Sequence, residues 1–454
     1  MKFERNPPPN YLWMMICKGD LLTEREQLLD EGRDITGIED ELNELLDLDL
    51  NCEENQVKAE AFMDKVLDLP MREGYEYIEP SDLSEVNEEA SKNEKIELPK
   101  MSLNEEELFD KILGAWQGRA SGCLLGKPVE GQLKWQMEKY LRSQGKYPLD
   151  YYFSENASEE VKKETGLYGF KECMAENITC MVEDDDTNYT VTGALIIKNY
   201  GKDFTPLNVG EFWLSNIPFI HVCTAERIAY KNIVNCYLPP TSAIVRNPYR
   251  EWIGAQIRAD FFGYVNPGNI EKAAEFAFRD ASISHIKNGI YGEMWAAATI
   301  AAAFVTSDVK TIIKAGLSVI PAKSRLTAAI DHIIDIFDKG YSYDEAVNDV
   351  HARWNEKNLH HWCHTVSNAE IVAISLLYGE GDFEKAVTRS VMPGFDTDCN
   401  GATVGSIMGA IIGAKDMPQK WIAPMNDTLI TGLHGYNKVS LTEMAKLTME
   451  LIKS

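Results

Sequence analysis

The sequence lacks the features that define several classes of protein. Its longest apolar run, 294–305, has 12 residues, whereas a membrane-spanning helix needs about 20. The first residues include three prolines, 7–9, and no basic segment followed by an apolar core, so no signal peptide is expected. The nine cysteines form no Cys-x-x-Cys pair, which favours reduced thiols over disulfides or zinc. These absences predict a cytoplasmic protein with no membrane partner.

Several catalytic signatures are also missing. The chain contains no Gly-x-Ser-x-Gly elbow, no Gly-Lys-Ser/Thr phosphate loop and no His-Glu-x-x-His. One cluster has the residue types of a soft-metal site: His360, His361, Cys363 and His364. It has no companion cysteine pair, so a packing or surface position is favoured over zinc binding.

Basic residues are too few to balance the acidic ones. The formal net charge is −26, and residues 1–100 alone carry 27 acidic and 11 basic residues. A strongly acidic surface repels nucleic-acid backbones and anionic membranes. Nucleic acid is therefore excluded as an expected partner.

Helical spacing of apolar residues recurs along most of the chain, and alternating strand patterns are scarce. We predict an acidic helical module over 1–90, a linker over 91–102 and a main domain over 103–454. The module has an apolar face that must be buried: Leu28, Leu29, Leu42, Leu45 and Leu46. The clearest helices of the main domain are 271–281, 292–305, 327–339, 343–354, 368–378 and 441–453. The chain is predicted to be all-α.

Two glycine rows stand out within helical segments. Glycines recur at every fourth position over 114–126 and again over 401–413. Each interior glycine costs a helix about 1 kcal/mol relative to alanine, so such a row predicts a compensating close contact. Residues four apart share one helix face, and we expect the two rows to cross face to face. An antiparallel crossing brings Glu130 beside Asp396 and Asp398.

Two acidic segments are candidates for a metal site. One is 183–187, Glu-Asp-Asp-Asp-Thr, and the other is 395–400, Phe-Asp-Thr-Asp-Cys-Asn. Adjacent carboxylates repel one another unless a cation neutralises them, and Mg²⁺ prefers such oxygen ligands. The alternatives are a helix cap at Asp186 or Thr187 with a solvated acidic lead-in, and a loop capped by Asn400.

Over residues 105–415 the chain resembles the ADP-ribosylglycohydrolase family. The resemblance rests on motifs in the family's order: 114–130, ending in Pro-Val-Glu; 184–187, Asp-Asp-Asp-Thr; 254–258, Gly-Ala-Gln-Ile-Arg; 284–285, Ser-His; and 395–400. It implies an orthogonal helical bundle that binds two Mg²⁺. It also implies a set of metal ligands: Asp184, Asp185, Asp186, Asp396, Asp398 and Cys399.

The resemblance further implies a catalytic set and a substrate-binding set. Glu130, Asp185 and Asp398 are the expected catalytic residues. Gly254, Arg258 and His285 fall where the family contacts its substrate, and Arg258 is expected to offset the charge of a diphosphate.

Three positions depart from the family pattern. Asp184 and Cys399 stand where threonine is usual, and Cys123 stands where aspartate is usual. Sulfur is a poor Mg²⁺ ligand, so one of the two ions is expected to bind more weakly.

The resemblance implies a Mg²⁺-dependent hydrolase that cleaves an ADP-ribosyl or related ribosyl bond with activated water. Its expected substrate is an ADP-ribosylated protein or a small ADP-ribose-containing molecule. Two alternatives remain open. One is a non-catalytic ADP-ribose-binding or structural member of the family, and the other is a metal-dependent hydrolase of another nucleoside or glycoside.

Overall fold

The computed structural model describes residues 14–454, and helices account for most of them. The first four helices are α1 (Lys18–Asp30), α2 (Glu39–Asp47), α3 (Glu53–Lys65) and α4 (Leu83–Ala90). The next nine are α5 (Glu105–Gly126), α6 (Lys134–Ser143), α7 (Glu159–Thr165), α8 (Asp185–Tyr200), α9 (Pro206–Asn216), α10 (Ala225–Val234), α11 (Asp260–Tyr264), α12 (Ile270–Ala281) and α13 (Lys287–Ala303). The last nine are α14 (Val309–Leu317), α15 (Arg325–Asp338), α16 (Tyr343–Arg353), α17 (Leu359–Cys363), α18 (Thr365–Tyr378), α19 (Phe383–Val391), α20 (Thr397–Ile412), α21 (Gln419–Ile422) and α22 (Leu441–Lys453).

The sheet content of the described residues is small. Two three-residue strands, β1 (Thr428–Ile430) and β2 (Lys438–Ser440), pair antiparallel with Leu429 opposite Val439. The all-α prediction is confirmed. Among residues 14–454, no helix combines the length and the hydropathy that a bilayer crossing requires.

The six helices predicted for the main domain are all present. The largest differences lie at their starts: α13 begins at Lys287 instead of 292, and α18 begins at Thr365 instead of 368. Helix α18 is capped at its start by the His364 side chain, whose Nδ1 accepts the Val366 N–H. A histidine cap is uncommon, so this boundary is hard to predict from the sequence.

Helix α13 lies at the centre of the main domain because it has no polar face. Residues 288–303 are all buried, and most of them are alanine or larger apolar residues. A helix that is apolar on every side must be covered on every side. Neighbouring helices cover it: α11, α12, α14, α18 and α20.

The two glycine rows face each other along α5 and α20, as predicted. A Cβ atom on Gly118 would lie 2.0 Å from the Gly405 oxygen, and one on Gly122 would lie 1.9 Å from the Gly401 oxygen. Gly114 meets Gly409, so the two helices run antiparallel. The backbones touch where side chains normally separate two helices by 8–10 Å. This contact offsets the low helix propensity of the glycines and fixes the end of α5 at the start of α20.

The N-terminal module has its own apolar core. Leu28, Leu42 and Leu45 of the predicted face are buried there, together with Phe62 of α3. The cluster extends from Ile16 to Leu69, whereas Val86 of α4 packs with the main domain. Residues 1–13 of the predicted module lie outside the described part of the chain.

Charged side chains join the module to the main domain. Arg250 pairs with Glu24 at 2.6 Å and with Glu31 at 2.6 Å, and all three are buried. Arg325 pairs with Glu79 at 2.9 Å and with Glu251 at 2.7 Å. We call these carboxylates and cations, with Lys287, which pairs with Glu31, the junction network.

Candidate metal and catalytic site

The crossing of α5 and α20 brings the two acidic segments together. At the end of α5, the Gly126 oxygen accepts a 2.9 Å hydrogen bond from Thr397 Oγ1 at the start of α20. Cys399 Sγ donates to Asp186 Oδ2 across 3.1 Å, which links α20 to α8. We call the carboxylates assembled here the acidic cluster: Glu130, Asp184, Asp185, Asp186, Asp396 and Asp398.

Asp184 caps helix α8. Its Oδ1 accepts the Asp186 N–H at 2.9 Å, so the cap is Asp184 and not Asp186 or Thr187 as the sequence alternative had it. The lead-in is also not solvated, because Asp184 and Asp186 are buried and Asp185 is half-buried. Of the four carboxylates in the segment, capping accounts for Asp184, and Glu183 lies 2.5 Å from His221 Nδ1. Capping leaves Asp185 and Asp186 unexplained.

The second segment does not form the capped loop that was the alternative to a metal site. Helix α20 already begins at Thr397, and Asp396 occupies the cap position without making a side-chain cap bond. Asn400 lies inside the helix, where its Nδ2 donates to Asn368 Oδ1 at 2.8 Å. Asp396 and Asp398 are buried, so this helix start carries carboxylates that capping does not require.

Two cationic side chains lie against the acidic cluster. Lys127 Nζ is 2.6 Å from Asp184 Oδ2. Arg119, which is 1% exposed, pairs with Asp186 at 3.2 Å and with Asp260 at 2.8 Å. Six carboxylates thus share two cations, one of which is also bound by a carboxylate outside the cluster. The cluster keeps an excess of negative charge.

This excess raises the pKa values of the buried carboxyl groups. Burial, followed by the charges of Asp184 and Asp398, raises the pKa of Asp185 to about 8. Burial and Asp184 raise the pKa of Asp398 to about 6. Burial also raises the pKa values of Asp186 and Asp396 well above the usual range. Each carboxylate is costly to ionise beside the others unless a further cation is bound.

Glu130 follows α5 and the short turn Lys127–Val129. The negative charge of Asp398, followed by burial and by Asp184, raises the pKa of Glu130 to about 9. Unlike the other carboxylates of the cluster, Glu130 is exposed. This combination suits a group that holds or releases a proton where a ligand enters.

The donor set fits a hard divalent cation. Asp398 Oδ1 is buried without a hydrogen-bond partner, as expected for an oxygen that awaits a ligand. There are two sets of three residues whose potential ligand atoms lie within 4.8 Å of one another. One set is Cys123, Asp184 and Asp186, and the other is Asp396, Asp398 and Cys399. Carboxylate oxygens predominate in both sets, which is the preference of Mg²⁺ and related ions.

The two cysteines in these sets remain neutral thiols. Burial, followed by the surrounding aspartates, raises the pKa of Cys123 and of Cys399 well above the usual range. A neutral thiol that donates to Asp186, as Cys399 does, is a poor ligand for a hard cation. Cys399 therefore lies among the ligand candidates as a hydrogen-bond donor.

Arg258 and His285, the side chains expected to contact the substrate, are both buried. Arg258 is 1% exposed, and carboxylates of Glu226 and Asp280 bind its guanidinium. His285 is fully buried beside Ser284, whose Oγ lies 2.8 Å from its Nδ1. Both side chains are thus engaged within the protein, and their contact with a substrate stays a prediction. The Gly-Ala-Gln-Ile-Arg segment is a structural support, because its arginine neutralises internal carboxylates.

Gly254 has a different reason for being glycine. A Cβ atom there would lie 2.2 Å from Glu226 Oε1. Glu226 is fully buried, its Oε2 has no hydrogen-bond partner, and burial raises its pKa to about 7. Gly254 therefore leaves room for the Glu226 carboxylate, whose charge also acts on Asp185.

Sequence reasoning missed Lys127, Arg119 and Glu226. Lys127 directly precedes the Pro-Val-Glu turn, so its position in the motif was an available signal. Arg119 lies one residue after Gly118, within the glycine row that positions the site. Glu226 belongs to α10, a helix with no motif of its own, and only the folded chain brings it to Gly254.

Two comparisons with known proteins found matches. A family profile described as ADP-ribosylglycohydrolase matches residues 104–452. A solved structure named "ADP-ribosylglycohydrolase-related protein complex" shares 18% sequence identity, with 77% of this chain and 99% of that chain covered and a TM-score of 0.48. No curated protein matches the chain. Because the profile covers more than half of the sequence, including both acidic segments, the chain belongs to the ADP-ribosylglycohydrolase family, whose name denotes glycohydrolase-type enzymes.

Proposed function

We propose that this protein is a Mg²⁺-dependent hydrolase that cleaves the glycosidic bond of an ADP-ribosyl group or a related ribosyl group. The expected substrate is an ADP-ribosylated protein or a small molecule that contains ADP-ribose. Cleavage at the anomeric carbon of a ribose passes through an oxocarbenium-like state and ends with attack by water. The site must therefore bind the ribose, position a water molecule and move one proton.

Glu130 is the proposed proton-transfer group. It is exposed, whereas Asp184, Asp186, Asp396 and Asp398 are buried. Because its pKa depends mainly on the charge of Asp398, neutralising that charge lowers the pKa of Glu130 and makes it a base for the attacking water. The same carboxyl group holds the proton after the transfer.

The proposed ligands of the cations are Asp184, Asp185, Asp186, Asp396 and Asp398. Bound Mg²⁺ supplies positive charge that orients ribose hydroxyls and lowers the pKa of water. Lys127 holds Asp184 in place, and Arg119 holds Asp186. Cys399 fixes the orientation of the Asp186 carboxylate by its hydrogen bond. Two ions are expected, and the sulfur atoms at 123 and 399 are expected to weaken the binding of one of them.

The observation that carries this proposal is the uncompensated charge of the acidic cluster. Six carboxylates from three separate chain segments meet beside two cations, and Asp398 keeps an unpartnered buried oxygen. Burying such groups costs free energy that the fold alone does not recover. A bound divalent cation accounts for their presence, and the family identity assigns the class of bond.

Hydrolysis assays test the proposal. Purified protein is incubated with ADP-ribosylated arginine, ADP-ribosylated serine and ADP-ribose derivatives, each with Mg²⁺ and with EDTA. We expect turnover of at least one substrate with Mg²⁺ only. Glu130→Gln should lower kcat by about 100-fold or more, whereas the matched surface variant Glu380→Gln should match wild type. Folded, Mg²⁺-loaded protein that hydrolyses none of these substrates would contradict the proposal.

Lys127 favours a second candidate function. Its ammonium group neutralises part of the negative charge of the acidic cluster, so less of that charge is left for Mg²⁺. A family member that binds ADP-ribose without hydrolysing it needs less bound Mg²⁺ than an enzyme does. Under this alternative, ADP-ribose binds with or without Mg²⁺ and Asp396→Asn leaves binding unchanged. A hydrolase of another nucleoside or glycoside would instead keep its Mg²⁺ dependence and ignore ADP-ribose.

A further inference from the structure

A cavity lies between the N-terminal module and the main domain. Its volume is about 620 Å³, within the usual range for small-molecule sites. The module contributes Asp30, Arg72 and Tyr75 to its walls, and the main domain contributes Arg325, Trp354 and His364. The cavity exists only where the two parts of the chain are joined. The described residues of the acidic cluster do not line it.

Asp30, His360 and His364 have the residue types of a metal site, and their ligand atoms lie within 4.8 Å of one another. The hydrogen bonds of the two histidines exclude that use. Trp252 Nε1–H donates to His360 Nδ1, and the Val366 backbone N–H donates to His364 Nδ1. Both donors lack an acceptor function, so each Nδ1 is unprotonated and each Nε2 carries the ring proton. Neither Nε2 offers a lone pair to a metal.

Two N–H donors around this cavity have no hydrogen-bond partner, whereas a third donor, the Nε2–H of His360, donates to Asp30 Oδ2 at 2.9 Å. His364 is fully buried, and its Nε2 has no hydrogen-bond partner. Arg325 Nη1 is also buried without a partner, although Arg325 Nη2 binds Glu79 and Glu251. Unpartnered buried donors are costly, and a ligand that brings acceptor oxygens would satisfy them.

The charges on the cavity wall favour an anionic ligand. Three arginines line the cavity, namely Arg72, Arg325 and Arg353, against one lining carboxylate, Asp30. Carboxylates outside the lining pair with Arg325 and with Arg353, so Arg72 supplies most of the uncompensated positive charge. Guanidinium groups present planar N–H pairs that match the oxygens of phosphate. Asp30 offers an acceptor for a ligand hydroxyl group.

Aromatic rings complete the cavity wall. Tyr75 and Tyr77 lie edge to face with centroids 5.4 Å apart, and Tyr77 is 41% exposed. Trp354, which also lines the cavity, stacks on His364. Such rings bind a flat heterocycle through their faces. We propose that this cavity is a second ligand site, which binds a nucleoside phosphate with its phosphate on the arginines and His364 and its base on the tyrosines.

The proposed site is separate from the acidic cluster but is its close neighbour. Cys363, the residue before His364, has its Sγ 3.8 Å from Asp396 Oδ2. Helix α17 thus lies between the two sites. The proposal gives the N-terminal module a role, because Arg72, Tyr75 and Tyr77 are its contribution to the ligand.

Binding measurements on the full-length chain test the proposal. Isothermal titration calorimetry is performed with AMP, ribose 5-phosphate, adenosine and inorganic phosphate, in EDTA and on the Asp398→Asn background, so that the acidic cluster does not contribute. We expect AMP to bind with a Kd in the micromolar range, ribose 5-phosphate and inorganic phosphate at least tenfold more weakly, and adenosine the weakest.

Two variants locate the binding. His364→Asn removes the Nε2–H donor but keeps an acceptor for the Val366 N–H, since asparagine is a good cap. Arg72→Gln removes an exposed cation without touching the core. Each should weaken AMP binding about tenfold or more, the size expected for one charged hydrogen bond. Arg142→Gln is the matched control, because Arg142 is an exposed arginine over another tyrosine, Tyr147, outside the cavity. Its affinity should equal that of the background.

Three outcomes would overturn the proposal. The first is no binding of AMP at millimolar concentration. The second is equal affinity for AMP and adenosine, which removes the role of the phosphate. The third is unchanged affinity in both His364→Asn and Arg72→Gln, which places the binding elsewhere. Thermal unfolding of each variant verifies that it is folded, and Arg72→Gln remains informative if His364→Asn is not.

Discussion

The acidic cluster and the junction network both bring carboxylates and cations together, and most of their carboxylates are buried, yet their charges are balanced differently. In the junction network, Glu24, Glu31, Glu79 and Glu251 share three cations: Arg250, Lys287 and Arg325. Burial opposes ionisation of Glu251 and Glu31, but the neighbouring cations outweigh it, so both pKa values are lowered. In the acidic cluster, the pKa values of Asp185 and Asp398 are raised.

The difference separates a structural group of carboxylates from a candidate functional one. In the junction network three cations nearly balance four carboxylates, and the charges hold two parts of the chain together. In the acidic cluster six carboxylates face two cations, and so large an excess needs a ligand of positive charge. Glu24 of the junction network is an exception, since burial raises its pKa despite Arg250.

Removing a matched carboxylate should have the largest effect. Glu251→Gln removes a carboxylate that pairs with the buried guanidinium of Arg325. It also puts an amide where the side chains of Gln27 and Asn288 now donate hydrogen bonds to a carboxylate. We expect the free energy of unfolding to fall by about 3 kcal/mol, measured by urea denaturation. Glu345→Gln, on the surface, is the control. A change below about 1 kcal/mol would mean that the junction network is not a structural joint.

Separating the two helices that assemble the acidic cluster should cost slightly less. Gly122→Ala places a methyl group against the Gly401 oxygen, so α5 and α20 must move apart. We expect a loss of about 2–3 kcal/mol from overpacking and weaker Mg²⁺ binding by calorimetry. Gly37→Ala is the matched control, because a Cβ atom there meets nothing within 4 Å. Equal stability of the two variants would contradict the close contact.

Removing a carboxylate of the acidic cluster should raise the free energy of unfolding instead of lowering it. In EDTA at pH 8, Asp398→Asn removes one of the repelling charges and should raise the free energy of unfolding by about 1 kcal/mol. The same variant should lose most of the stabilisation that Mg²⁺ gives to wild type. Differential scanning fluorimetry with and without Mg²⁺ measures both effects. Destabilisation in EDTA would show that Asp398 is already compensated by Lys127.

The pH dependence of stability should show the excess negative charge of the acidic cluster through a smaller effect. An unfolded aspartate has a pKa near 4, whereas Asp398 titrates at about 6 and Asp185 at about 8 in the folded protein. Between about pH 4 and about pH 8, the folded state binds more protons than the unfolded state. The stability of metal-free protein should therefore fall as pH rises from about 4 to 8. The rise in Tm caused by Mg²⁺ should be larger at pH 8 than at pH 5. Equal rises at both pH values would argue against cation binding by these groups.

Much of the fold was predictable because its signals are local. Apolar periodicity indicated the helices of the main domain, and the glycine rows indicated the contact of α5 with α20. The alternatives of a cap at Asp186 or Thr187 and of a loop capped by Asn400 are not what the structure has. Asp184 caps α8 through a local bond, whereas a tertiary contact with Asn368 engages the Asn400 side chain.

The candidate site was predictable only in part. The carboxylates of the acidic cluster stand in two short motifs and a turn, so their meeting could be inferred from the order of the motifs and the crossing of the glycine rows. The positions of Arg258 and His285 could not be inferred. A motif gives the order of residues along the chain, whereas burial beside Glu226 and Asp280 depends on helices α10 and α12.

The sequence by itself determined the all-α class, the antiparallel glycine contact and the carboxylates of the candidate metal site. Helix periodicity and close backbone approach depend on residues a few positions apart, so they can be read along one segment. Only the tertiary structure decided which charges are balanced, since Lys127 meets Asp184 and Arg325 meets Glu251 across long separations in the chain. It also decided that the N-terminal module and the main domain enclose a cavity with unpartnered donors, because electrostatic balance and enclosure are properties of groups brought together in space.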